Sequence, residues 1–191
     1  MKRLSKGFTL IELLIVIAVL GILAVAVLSA INPVEQINRS RDTGTRSDAE
    51  QLLGAFDRYY AGVGYAPWKT SPSLPTATDI TAWAKADNLW TDGTTGVLAK
   101  LSSSTGGTSE LKMAFTDRIT KTDYNALYKY NRGTQGDSTY LCFASQSNQF
   151  SALAWARCGS STSGSGLPAD LQPVAASICL GASLKNFSCL P

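Results

Sequence analysis

Histidine is absent from all 191 residues. That absence removes the Ser-His-Asp and Cys-His nucleophile systems and the commonest metal ligand. No phosphate loop or dinucleotide fingerprint occurs either. The four cysteines, Cys142, Cys158, Cys179 and Cys189, form no Cys-x-x-Cys pair. With no histidine to complete a ligand set, neither zinc nor any other cofactor is expected. The scattered acids Asp87, Asp92, Asp123 and Asp137 match no calcium loop and no paired-carboxylate spacing, so they read as solvated surface groups. A strongly basic surface is missing too: Lys and Arg number 17 against 14 Asp and Glu. Arg39, Arg41 and Arg46 are interleaved with Asp42, Asp48 and Glu50, which predicts a solvated helix face rather than a nucleic-acid footprint.

Charge is also absent, altogether, from Leu13 to Ile31. As a helix, Phe8 to Ile31 would be about 36 Å long, enough to cross a hydrocarbon core of about 30 Å. Lys2, Arg3 and Lys6 precede it, and basic flanks stay in the cytoplasm. The exception inside the apolar run is Glu12. A carboxylate there costs roughly 2.5–3.5 kcal/mol to insert, which calls for a specific partner. A secretory signal peptide cut near Ala24 to Ala30 would fit the charge pattern but leaves Glu12 without a role.

The run Lys6-Gly7-Phe8-Thr-Leu-Ile-Glu12-Leu-Leu-Ile-Val resembles the class III signal of the type IV pilin superfamily. The resemblance implies a leader, residues 1–7, removed by a prepilin peptidase between Gly7 and Phe8, with N-methylation of Phe8. Residues 8–31 would remain as a transmembrane and assembly helix, and residues 32–191 would form the head. Cutting creates an α-amino cation on Phe8, and Glu12 of one subunit would pair with the Phe8 amine of the next. Such a buried pair sets register more than it adds stability. Removing Lys2, Arg3 and Lys6 also leaves Lys and Arg equal in number to Asp and Glu.

Beyond Ile31, Ala49, Leu52, Leu53, Phe56, Tyr59, Tyr60 and Val63 recur at spacings of three and four, predicting an amphipathic helix over 34–62. One long helix from about Thr9 to about Ala61 is expected, broken or bent near Asn32-Pro33 and ended by Gly62-Val63-Gly64. Gly21 and Pro33 are its weak points, and the resemblance implies local melting between them. Tyr59-Tyr60 through Tyr65-Ala66-Pro67-Trp68 is similar to the helix-ending motif of major pilins and predicts an aromatic plug. A short helix is expected over 78–88, capped at Thr78-Asp79. A Gly/Ser/Thr-rich loop is expected over 92–109, interrupted by an apolar piece, Val97 to Leu101. Strands are expected at 127–130, 139–144 and 150–156 in an antiparallel meander, one face of which covers the helix stripe. Residues 159–166 read as an exposed flexible loop. Asn186-Phe-Ser188 and Asn38-Arg-Ser40 fit a glycosylation triplet.

The cysteines lie on the outer side by this topology, where disulfides form. Four cysteines allow three connectivities; Cys142–Cys158 with Cys179–Cys189 is favoured, because the latter closes a short C-terminal loop. The fold class expected is α+β, pilin-like. The expected function is a non-enzymatic pilus subunit whose partners, by resemblance, are copies of itself, the prepilin peptidase, a platform protein and an assembly ATPase. It would sit in the inner membrane as a precursor and in an extracellular pilus after assembly. A pseudopilin of a secretion or DNA-uptake system is the alternative within the superfamily. A membrane-anchored extracytoplasmic enzyme or binding domain is the alternative outside it.

Overall fold

The computed structural model describes residues 7–30, 32–70, 83–102, 108–133 and 137–191. The chain divides into two compact units, residues 1–37 and 38–191.

In the first unit, helix α1 spans Leu10–Ala30. Thr9 starts it: Glu12 Oε2 accepts from Thr9 N at 2.8 Å and Thr9 Oγ1 at 2.7 Å, while Thr9 Oγ1 accepts from Glu12 N at 3.3 Å. This is a capping box, in which the first-turn N–H groups and the carboxylate satisfy one another. The helix passes through Gly21 without a break. Helix α2, Pro33–Val63, has its own start signal. Asn32 Oδ1 accepts from Glu35 N at 3.2 Å, which makes Asn32 the N-cap and Pro33 the first helical residue, where a missing N–H is no loss. The break expected near Asn32-Pro33 is therefore present as a helix start. Gly64, at φ +84°, takes the left-handed conformation that ends α2.

The second unit is built on an antiparallel four-stranded sheet in the order β1 (Trp83–Lys85), β2 (Leu127–Tyr130), β3 (Tyr140–Ala144), β4 (Phe187–Leu190). Register sets the faces. Leu127 opposes Phe143 and Leu141 opposes Leu190, so these four point to one side, where they join Ala49, Leu52, Ala55, Phe56 and Tyr59 of α2 in a single apolar core. The expected covering of the helix stripe by one sheet face is borne out, with Tyr60 turned to solvent instead of inward. Trp68 and Trp90 stack at 6.0 Å and meet Phe56 edge-on, forming the aromatic plug that follows the helix. On the other face Tyr130, Tyr140, Cys142 and Cys189 pack beneath Cys158, Leu167, Leu171, Ile178 and Cys179.

Several expectations are corrected. Residues 150–156 lie not in a strand but in helix α5, Asn148–Arg157, capped by Ser147, which accepts from Phe150 N. Ser151, Ala154 and Cys158 are buried at helical spacing. The piece Val97–Leu101 is helix α3, Val97–Ser102, and Val97, Leu98 and Leu101 are buried. Helix α4 follows at Met113–Ile119. Residues 83–85, expected in a helix, are strand β1; the proposed cap Thr78-Asp79 lies outside the described residues. Residues 159–166 form a turn that is largely exposed, as expected, but is pinned at one point. Gly164, at φ +67°, is buried, and a Cβ there would stand 2.5 Å from the Ala175 Cβ.

The favoured disulfide pairing is also overturned: the bonds are Cys142–Cys189 and Cys158–Cys179. Cys142 and Cys189 are directly opposed across β3 and β4, with Cα atoms 4.0 Å apart. Cys158 at the end of α5 meets Cys179 at the end of α6, Ala175–Ile178. Sheet register, which loop length does not reveal, decided the pairing.

Candidate assembly site

The feature that stands out in the first unit is an exposed apolar helix. From Leu10 to Ser29 every side chain of α1 is exposed, and the segment has mean hydropathy 3.1 over 20 residues. Phe8 is 83% exposed and Leu10 81%. An apolar surface of that size is stable only in lipid or against other apolar surface. Glu12 stands at its head in the first turn, where the helix dipole favours a negative charge. Both cap bonds that its carboxylate accepts converge on Oε2. The Thr-x-x-Glu spacing that builds this cap is legible in the chain, although the sequence reading assigned Glu12 only an intermolecular partner.

The head is tied to α2 by acids that the sequence placed on a solvated face. Asp42 is fully buried and Asp48 is 6% exposed. Asp42 accepts from Gln146 N at 2.9 Å, Ser147 N at 2.8 Å and Ser147 Oγ at 2.7 Å. Because Ser147 Oγ in turn caps α5 through Phe150 N, one carboxylate of α2 fixes the start of a helix about a hundred residues later. Asp48 accepts from Arg118 Nη2 at 2.6 Å and from the Tyr124 hydroxyl at 2.7 Å. Burial and the Asp48 charge together raise the Tyr124 phenol well above its usual pKa. Burial also raises Tyr59, with Tyr65 and Asp92 adding to it, to about 12.

The four acids considered for catalysis or calcium do not converge. Asp92 is buried, contrary to expectation, and pairs with Lys100 while accepting from Thr94 N, Thr94 Oγ1 and Thr95 N. Burial would raise its carboxyl pKa, but the Lys100 ammonium and the backbone donors outweigh it and hold it well below the usual range. Asp87 closes a turn with Leu89 N, Asp137 forms a two-pronged bond with Arg132, and Asp123 is exposed. Among the described residues, no group of three or more Cys, Asp or Glu could hold a metal ion. The triplet at Asn186 is not an accessible acceptor. Its side chain is fully buried, accepts from Leu180 N at 2.7 Å and Gly181 N, and donates to Gly181 O and Leu184 O. Asn38 is half-buried.

An apolar, capped helix exposed from Leu10 to Ser29, followed by a disulfide-bonded α+β head, fits the class of proteins that span a membrane, or pack against copies of themselves, through such a helix. Comparison with known proteins specifies which. Residues 2–28 match the prokaryotic N-terminal methylation motif. The chain is 35% identical over 106 residues to a fimbrial protein, EcpC, of Eikenella corrodens, covering 56% of this chain and 68% of that protein. It is 41% identical over 81 residues to a fimbrial protein of Neisseria meningitidis, covering 42% of this chain and 46% of that one. No solved structure matches the chain. The chain belongs to the type IV pilin family.

Proposed function

We infer that this chain is a structural subunit of a type IV pilus. The reading rests on the uncovered apolar helix Leu10–Ala30 with Glu12 at its head, a surface that needs either a bilayer or copies of itself. In this account residues 1–7 are a leader removed between Gly7 and Phe8, and Phe8 is then N-methylated. Residues 8–31 anchor the precursor in the inner membrane with the head, residues 32–191, outside. A platform protein and a cytoplasmic ATPase transfer it into the filament, where the helices pack together and the heads form the surface.

On this reading Glu12 has two successive roles. In the single chain its Oε2 holds Thr9 at the start of α1. In the filament the same carboxylate neutralises the Phe8 amine of an adjacent subunit, an exchange of partners that keeps the charge paired throughout. Gly21 and the Asn32-Pro33 start of α2 are the positions at which the helical rod yields under extension. Glu12→Ala is expected to leave the precursor inserted and folded while abolishing filaments; normal filaments from that variant would refute the register role.

The deciding experiment is intact-mass and N-terminal peptide analysis of material sheared from the cell surface. A chain beginning at N-methylated Phe8 in the sheared fibres is the expected result. The processed chain found only in the membrane fraction would identify a pseudopilin instead. An uncut Met1, or a cut near Ala30, would overturn the pilin reading.

A further inference from the structure

The two disulfides of the head are nested: Cys158–Cys179 lies, along the chain, inside the span of Cys142–Cys189. The first cysteine thus pairs with the last, and the second with the third. By the topology inferred above, the head passes through the membrane from its N-terminal side into an oxidising compartment, so Cys142 and Cys158 arrive before Cys179 and Cys189. The native partner of Cys142 comes last, because Cys189 belongs to β4, the last of the four strands in chain order. Until β4 docks on β3, no register directs Cys142 away from Cys158.

Loop closure pushes in the same direction. The consecutive pairing, Cys142–Cys158 with Cys179–Cys189, closes two loops that are both shorter than the native ones, whose cysteines are 47 and 21 residues apart. Closure entropy grows with the logarithm of loop length, so an unfolded chain favours the consecutive pairing about tenfold. Proximity does not sort the pairs either. All four cysteines belong to one buried apolar cluster, with Leu167, Leu171 and Ile178. What distinguishes them is the β3–β4 register and the meeting of the ends of α5 and α6, features of the finished head.

A chain oxidised in consecutive order holds two disulfides and no thiol. It cannot correct itself, since exchange starts with a thiolate attacking a disulfide sulfur. We propose that a further partner of this chain is a thiol–disulfide isomerase, a protein presenting a reduced, reactive thiol on the side of the membrane where the head folds; this rests on the reading that places the head outside. The partner's thiolate attacks the Cys158 sulfur of Cys142–Cys158, forming a mixed disulfide and releasing the Cys142 thiolate. Cys142 attacks the Cys189 sulfur of Cys179–Cys189, forming the native cross-strand bond and releasing Cys179. Cys179 then attacks Cys158, forming the second native bond and returning the partner's thiolate. No electrons are gained or lost in the cycle; the earlier oxidation, two electrons from each thiol pair, falls to a separate disulfide-forming oxidant. Closure of the head ends the exchange, because in the fold none of the four cysteines is more than 6% exposed and none is free.

The full-length chain, reduced and unfolded in urea, is transferred to mild detergent with diamide, an oxidant that leaves no thiol behind, and its pairs are read by non-reducing peptide mapping. The expected map has Cys142–Cys158 and Cys179–Cys189 exceeding the native pairs about fivefold or more. A catalytic amount of reduced protein disulfide isomerase should then convert it to Cys142–Cys189 and Cys158–Cys179. Native pairs in the majority from diamide alone, or a mispaired map that the isomerase leaves unchanged, would overturn the proposal. The second measurement maps the chain made in a bacterium with and without its periplasmic disulfide isomerase. Loss of the isomerase should lower recovery of the native pairs about fivefold or more. Equal recovery would overturn the proposal and leave the pilin reading intact, whereas four free thiols in the chain from either cell would overturn the outside placement of the head as well.

Discussion

Replacing Asp42 tests whether the head is held to α2 by a buried carboxylate. Its oxygens receive two backbone N–H groups and a hydroxyl from Gln146 and Ser147, and its side chain is fully buried. Each hydrogen bond to a charged group contributes about 1.5–3 kcal/mol, and a buried donor left without an acceptor costs a similar amount. The three donors share one acceptor and sit at a helix start that can partly open to water, so their losses do not add in full. Asp42→Ala should therefore cost about 3–5 kcal/mol, a large fraction of the 5–15 kcal/mol that holds a typical domain together. Asp42→Asn keeps one acceptor oxygen but turns an amide N–H₂ toward a donor, and about 2 kcal/mol should be lost. The assay is urea unfolding of the full-length chain in mild detergent, followed by tryptophan fluorescence from the Trp68–Trp90 stack. Arg46→Ala, one turn further along the exposed side of α2, should stay within about 0.5 kcal/mol. A loss below about 1 kcal/mol for Asp42→Ala would refute the idea that this carboxylate organises α5.

Acid and alkali should unfold the head through different groups. Asp92 has a depressed pKa in the folded chain, so its contribution is present above the unfolded value of 3.8 and is lost as pH falls below it; Asp92→Asn should flatten the acid limb of a stability-versus-pH curve. Tyr59 has a raised pKa, about 12 against 10.0, so its contribution is complete below 10 and disappears as pH rises toward 12. Ultraviolet titration should show late tyrosinates, from which Tyr59→Phe removes one while that of Tyr124 stays. Non-reducing peptide mapping should recover Cys142 joined to Cys189 and Cys158 joined to Cys179. Opening the first bond, with a sequence separation of 47, should cost about 4 kcal/mol; opening the second, with a separation of 21, should cost about 3. A Cys179–Cys189 peptide would contradict the β3–β4 register.

Where the chain's own periodicity was strong, sequence and structure agree. The apolar run from Leu13 to Ile31 could only be a spanning or packing helix, and the stripe Leu52, Phe56, Tyr59 found the core. Strands β2 and β3 were legible from short aromatic-rich runs bounded by turn residues. α5 was not, because Phe150, Leu153 and Trp155 suit a strand as well as a helix. The signal overlooked was Ser147 as an N-cap, followed by small residues at helical spacing. β1 and β4 are only three and four residues long and acquire strand geometry from their neighbours.

By itself the sequence determined the properties that depend on neighbours along the chain. These are the length and apolarity of α1, the charged group at its head, the capping spacing Thr9–Glu12, and the motif that places the chain among type IV pilins. Tertiary structure alone decided which residues meet across long separations. Asp42 and Asp48 look like members of a solvated face until donors from residues 118–147 close over them. The cysteines have three arithmetically equal pairings until β4 adds to β3 in one register. Local sequence specifies helix and span because those interactions act within a turn or two. Partner choice follows the packed geometry of the head, and no short window of sequence contains it.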